Sequence, residues 1–329
     1  MDTVRLLLAL AFVPAVLLAQ DPPPVEEPPV EDPPVFDPSA DVRARVEAAR
    51  RLAARHNQRL LVVFGADGSR ASLALVEIAG EEGTVERMLP DEFLTVQLEA
   101  EAAAEQGLLE SLGVTLEGLP HIAVLDAEGR VLVQRSAAQL LVEGQPVSAR
   151  ILELLREHKA EPLDAKAIVA DARAVAEKDG RKLLIEFVAP RCAPCRSLTE
   201  FLEGPDVAPI LARDLVVVRV DQERMTGGKE LAAELRSGGQ DLPWMVITDA
   251  KLSPIVTSDG AEGNIGDPLA QAEIEHFMTM LRAVAQAIDE QQMKKLETSL
   301  ANRATELGGE RAVRKGEGGG KQGGGKQGG

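Results

Sequence analysis

The chain of 329 residues has no tyrosine, one tryptophan, two cysteines and four histidines, and it is short of positive charge. With aromatics at 2% and apolar residues at 45%, any core must be built from Leu, Val, Ile and Ala. Its 53 acidic side chains outnumber 36 basic ones, for a formal net charge of −17. That balance excludes a nucleic-acid binder, which needs a basic face to displace counterions and aromatics to stack bases. Two cysteines cannot staple a small scaffold, and no Cys/His spacing of a structural zinc site occurs, so no metal is expected. No P-loop, dinucleotide fingerprint or Ser-His-Asp set stands out, so no cofactor is expected either. What remains is a chain long enough for two ordinary domains, with one pair of sulfurs.

The ends differ from the middle. Arg5 precedes an apolar run of 13 residues, Leu6 to Leu18, closed by Ala19. Such a run is too short for a bilayer core of about 30 Å but suits a signal peptide over 1–20. We therefore expect export to a periplasmic or extracellular site, without stable membrane insertion after cleavage; an uncleaved tether is the alternative. Residues 21–40 hold eight of the 20 prolines and six acids without a base, the composition of an extended linker rather than of a core. A proline-motif ligand is the functional alternative. Beyond a helical extension that begins at 291, the chain from Gly308 is Gly-rich and ends in two GGGKQ copies, so a solvated tail is expected there.

Between the ends the sequence repeats at an offset of 123 residues. Ala44/Ala167, Val46/Val169, Ala53/Ala176, Leu60/Leu183, Leu61/Leu184, Phe64/Phe187 and Ala66/Ala189 are identical pairs, and LPHIAVLDA at 119 lies over LPWMVITDA at 242. Each copy reads helix, strand, loop, helix, strand, helix, then a proline-initiated strand, a further strand and a closing helix. In the second copy, strands are expected at Lys182–Val188, Leu215–Val220, Trp244–Thr248 and Pro254–Thr257. Helices are expected at Ala165–Lys178, Cys192–Leu202 and Glu273–Ile288. The result is an α/β chain with two mixed central sheets flanked by helices, in domains at about 41–160 and 163–290.

Only the second copy holds the sulfurs. Cys192-Ala193-Pro194-Cys195 opens a helix directly after a strand, where unpaired backbone N–H groups and the positive end of the dipole favour thiolate. Arg191 and Arg196 add positive charge as thiolate-stabilising residues, and Pro194 stiffens the loop so that Cys195 can resolve a mixed disulfide on Cys192. A structural disulfide, or metal handling by the two thiolates, is the alternative for the pair.

LLIEFVAPRCAPCRSL at 183–198, VVVRVDQE at 216–223 and DLPWMVITD at 241–249 together resemble the thioredoxin-fold family, in its exported thiol:disulfide oxidoreductase branch. The resemblance implies tandem thioredoxin-like domains, the first redox-dead. It implies a cis proline at Pro243 beside the cysteine pair, with Leu242 and Trp244 completing a substrate groove, and a buried proton-handling acid at Glu186. The family's tryptophan before the first cysteine is replaced by Arg191, and its usual lysine near the acid falls on Val217, with Arg219 the closest basic residue. In the first copy Ser69 and Ser72 stand at the cysteine positions, Val63 at that of Glu186 and Pro120 at that of Pro243.

Plainer readings stand beside these. Glu186 could be an ion-paired strand residue, Trp244 could be core, and His121 in the matching slot reads as a surface histidine. The Arg43–Arg55 helix reads as a solvated amphipathic face. The expected activity is disulfide exchange with protein thiols and disulfides and an unidentified redox partner, with the direction of electron flow open. The alternatives are a non-enzymatic thioredoxin-fold binding or scaffold protein of the cell envelope, or a dithiol metallochaperone.

Overall fold

In the computed structural model, residues 34–80 and 84–318 are described; the expected export segment and most of the proline linker lie outside them. The first half runs α1 (Val42–Arg55), β1 (Arg59–Gly65), α2 (Arg70–Gly80), α3 (Thr84–Glu92), β2 (Phe93–Glu99), α4 (Ala100–Glu105), α5 (Leu108–Leu112), β3 (His121–Leu125), β4 (Val131–Arg135), α6 (Ala137–Leu140), β5 (Leu141–Val142), β6 (Gln145–Pro146) and α7 (Ser148–His158). The second runs α8 (Ala165–Asp179), β7 (Lys182–Val188), α9 (Ala193–Leu202), α10 (Ala208–Leu211), β8 (Leu215–Asp221), α11 (Gly228–Leu235), β9 (Trp244–Thr248), β10 (Pro254–Thr257), β11 (Asp259–Gly260), β12 (Gly263–Asn264), α12 (Gln271–Arg282) and α13 (Glu290–Gly318).

Two four-stranded mixed sheets result, ordered β2-β1-β3-β4 and β8-β7-β9-β10. In each, the central strand pairs in parallel with one neighbour and antiparallel with the other. β1 and β7 stand 123 residues apart, as do β3 and β9, which is the offset of the sequence repeat.

The same local chemistry starts both halves. Asp41 caps α1 by accepting from the Ala44 N–H at 2.9 Å, and Asp164 caps α8 by accepting from Ala167 at 2.8 Å. Val42, Val46, Ala49 and Ala53 recur at helical spacing and bury one face of α1; Ala165, Val169 and Ala176 do so on α8. Each central strand is buried on both faces, so it reads as an apolar run rather than an alternation, interrupted in β7 by the buried Glu186. Leu183, Ile185 and Phe187 turn toward the α8 side, while Leu184 joins the core under α9 and α12.

Three expectations needed correction. The linker reading of 21–40 ends too late: Phe36 is 1% exposed within the first half's core. Its ring fills the space above Gly65, where a Cβ would collide with the ring, and its N–H donates to Asp67 at 3.1 Å. The closing helix stops at Arg282 rather than Ile288, because the N–H groups of Gln286, Ala287 and Ile288 turn to the Asp214 carboxylate at 2.8–3.0 Å. Finally, α13 continues past Gly308 to Gly318; Glu310, Arg311, Ala312, Arg314 and Lys315 are good helix formers set between the glycines. Met293, Leu296 and Leu300 of α13 extend the core shared by α9 and α12. Among the described residues, no helix is long and apolar enough to cross a membrane.

Candidate active site

β7 delivers the chain to the turn at Pro190–Arg191, and Cys192 then serves as the N-cap of α9, its Sγ accepting from the Cys195 N–H at 3.1 Å. Pro194 sits in the first turn, where a missing N–H costs nothing. Cys192 and Cys195 are joined as a disulfide with Cα atoms 5.1 Å apart. Cys195 is buried and Cys192 half-buried, so the outer sulfur belongs to the first cysteine. The Arg196 guanidinium donates to the Pro190 carbonyl at 3.2 Å, bracing the turn, and Arg191 is exposed.

The fold places Glu186 beneath that helix. It is 1% exposed and accepts from the Thr199 hydroxyl at 3.0 and 3.2 Å. Thr199 lies four residues after Cys195 on the same inward face of α9, so one helical turn separates the buried sulfur from the ligand of the acid. Arg219, the register partner of Glu186 on β8, donates from Nε at 3.4 Å. Burial pushes the Glu186 carboxyl up to about 7; the Arg219 charge and the Thr199 hydrogen bond pull the other way without cancelling it. The same guanidinium also bonds Glu203 and, at 3.3 Å, Nδ1 of His56 from the first half.

Leu242–Pro243 is a cis peptide, as is Leu119–Pro120 in the first half. Since β9 runs antiparallel to β7 with Phe187 opposite Trp244, Pro243 lies at the edge of the sheet from which the cysteine turn departs. Leu242 is half-buried beside it. Trp244 does not belong to a groove: it is 1% exposed, its Nε1 donates to Asp259 at 2.7 Å, and its ring packs 5.4 Å from Phe187 with the Arg236 guanidinium 5.2 Å away. The residue after the cis proline is the first residue of a fully buried strand, so its side chain enters the core.

For the same reason His121 is not a surface residue. It is 2% exposed, packs 6.3 Å from Phe64 and pairs through Nε2 with Gln134 at 3.1 Å. Ser69 retains the helix cap without sulfur, accepting from the Ser72 N–H at 3.3 Å, and Ser72 is fully buried.

Thr199 escaped sequence reasoning, although its spacing from Cys195 was the available signal. His56, Glu203 and Asp91, which reach the site's arginines, left no local signal because they come from distant segments. Among the described residues, no three His, Cys, Asp or Glu side chains cluster so as to hold a metal ion.

Residues 164–250 match the family described as Thioredoxin-like. The chain is 27% identical over 127 residues to a protein disulfide-isomerase of Hordeum vulgare, an alignment covering 36% of this chain and 24% of that protein. It thus spans about a quarter of the length of that curated relative. Among solved structures, a disulphide isomerase from Xylella fastidiosa aligns at 20% identity and TM-score 0.34, covering 37% of this chain and 94% of the other. A thioredoxin from Thermus thermophilus aligns at 23% identity and TM-score 0.24, covering 30% and 72%. The stretch that matches the Thioredoxin-like family thus carries the second sheet's central strands and the helix that bears the dithiol.

Proposed function

We propose that the protein is an exported thiol–disulfide oxidoreductase that exchanges disulfides with protein substrates through Cys192 and Cys195. The observation that carries this reading is the Cys192–Cys195 pair at the start of α9, with its outer sulfur on Cys192 and a buried acid held by Thr199, one helical turn after Cys195. In the reducing direction the Cys192 thiolate attacks one sulfur of a substrate disulfide, forming a mixed disulfide and expelling a substrate thiolate. Cys195 then gives its proton to Glu186 and attacks Cys192 Sγ. The second substrate thiolate leaves, and the Cys192–Cys195 disulfide carries the two electrons' worth of oxidation. The oxidising direction is the same sequence reversed.

An acid whose pKa lies at about 7 takes and returns a proton near neutral pH, which suits that relay. The helix N-terminus and the charges of Arg191 and Arg196 favour the Cys192 thiolate. Leu242 and Pro243, at the edge of β9, offer the backbone against which an extended substrate segment would lie. Export follows from the apolar run Leu6–Leu18 and accords with a disulfide persisting in an oxidising compartment.

The test is the Cys195→Ser variant expressed in the native compartment. The expected result is a set of substrate proteins trapped on Cys192, released by reductant. No trapped partner, together with no disulfide-reductase activity of the purified wild type, would overturn the proposal.

A further inference from the structure

The two halves meet along a seam of charged groups, and that seam ends at Arg191, next to Cys192, and at Arg219, next to Glu186. On one side, Asp91 at the end of α3 lies 3.5 Å from Nε of Arg191, the residue that precedes Cys192. The Asp91 side chain is only 19% exposed, and its Oδ1 has no hydrogen-bond partner, so this guanidinium is the cation its buried oxygen faces. The neighbouring Glu92 accepts from Arg224 at 3.1 and 3.2 Å, while Arg224 also donates to the carbonyls of His56 at 2.9 Å and Asn57 at 2.6 Å. Arg224 follows β8, so the second half grips the first directly beside Asp91. On the other side, His56 accepts from Arg219, which faces Glu186. The sulfur-free half therefore touches the cation beside the outer sulfur and the cation beside the buried acid.

We propose that the first half acts in cis on the dithiol, with Asp91 as a positioning residue that draws on Arg191 and so restrains the ionisation of Cys192. This rests on the thiol chemistry proposed above. A cation shared with a carboxylate stabilises a neighbouring thiolate less than a free one. The charged groups around Asp91 and Arg191 are Glu92, Glu223 and Arg224, with Arg196 on α9; those around Glu186 are Arg219, Glu203 and His56, with Arg55 bonded to Glu203. Of these, Asp91 is the anion in contact with the residue adjoining Cys192. His56 fixes the second arginine as a neutral imidazole, since its Nδ1 must accept from a guanidinium that can only donate.

The experiment is a double-mutant cycle on the full-length reduced protein, reading the pH dependence of Cys192 alkylation by iodoacetamide. Asp91→Asn is expected to move the alkylation midpoint to lower pH and to raise the rate at pH 6 by about two- to fivefold, the range of a partly exposed ion pair. Arg191→Gln should move it to higher pH. Asp91→Asn added to Arg191→Gln should then change nothing, and Asp91→Glu should behave as wild type. The same Asp91→Asn variant should be more reduced than wild type when equilibrated with a glutathione buffer, because the dithiol form is stabilised.

An unchanged midpoint in Asp91→Asn overturns the proposal, as does a shift of equal size on both backgrounds. Alkylation needs no redox partner, so its outcome is separable from the oxidoreductase reading. A protein that traps no substrate but shows the coupling refutes the activity alone, and one that traps substrates without the coupling refutes this inference alone.

Discussion

Glu186 and Arg219 face each other as register partners on the adjacent parallel strands β7 and β8, with the guanidinium Nε 3.4 Å from the carboxylate. The ion pair is too imperfect to offset burial, and the acid remains protonated well above its ordinary pKa of 4.5, up to about 7. A raised folded-state pKa means that the folded protein holds this proton more tightly than the unfolded chain does. The benefit is complete below pH 4.5 and is lost as the pH rises through about 7. Replacing Glu186 by Gln removes the titration. We expect the variant to gain on wild type by about 3 kcal/mol between pH 4.5 and pH 8.5. Urea midpoints at the two pH values check this, and parallel pH profiles would sink it.

Asp214 has the opposite sign. Burial works against its charge, but the N–H groups of Gln286, Ala287 and Ile288 together hold the carboxyl below its ordinary value of 3.8. Its stabilisation is therefore present above pH 3.8 and fades as the pH falls through the lowered value. Asp214→Ala should cost about 3 kcal/mol at pH 7, since three backbone donors lose a charged acceptor. The difference from wild type should narrow at pH 3 in equilibrium denaturation; a constant difference would contradict the assignment.

Phe36→Ala should destabilise the protein by about 3–5 kcal/mol through loss of a buried ring and the cavity left behind. Gly65→Val should also be destabilising alone, because the new Cβ meets the Phe36 ring. In the double variant the valine occupies space that the ring has vacated, as Val188 does at the matching position of β7. The double variant should therefore unfold at a higher urea concentration than either single one. Additive losses would show that the ring and Gly65 do not share a site.

Arg303 on α13 reaches Asp267, whose side chain is 3% exposed, and Ser197 on α9, and its guanidinium lies 5.5 Å from the Phe201 ring. Arg303→Met leaves a buried carboxylate without its cation and should cost about 3–5 kcal/mol. Pairing it with Asp267→Asn should recover part of that loss. Thermal denaturation measures both, and trypsin should cut at Lys294 or Lys295 faster in the single variant. Equal stability of the two variants would dismiss the pair as a clamp.

Much of this architecture was readable because it occurs twice. A repeat in which Leu-Pro and Asp-Ala fall in step locates the strands of both sheets, and period and turn residues supply the helices of the second half. Local pattern failed where a distant group decides the outcome. Apolar spacing carries through Val284 and Ile288, yet Asp214, from the loop before β8, ends α12 at Arg282. Composition made residues 21–40 a spacer, but a single aromatic among prolines was enough to seat the chain at Gly65. The family's usual lysine falls on Val217, which strand register pairs with Leu184, and Arg219, the closest basic residue in the sequence, is the one that lies opposite Glu186. Of the two readings open for Trp244 the core one holds and the groove one fails, and His121 is buried rather than at the surface, because the strand after each cis proline is buried along its whole length.

The helix cap bears on how portable this chemistry is. Cys192 and Ser69 perform the same task for the backbone, each accepting the N–H three residues on, so either helix start can host a sulfur pair without losing its cap. The acid is not portable in that way. A glutamate installed at Val63 would look across its ladder at Gln97, where Glu186 looks at Arg219. Cysteines grafted into the first half would thus acquire a helix cap but no buried acid facing an arginine, so the proton acceptor that the proposed exchange would use belongs to one strand pair rather than to the sheet order that both halves share.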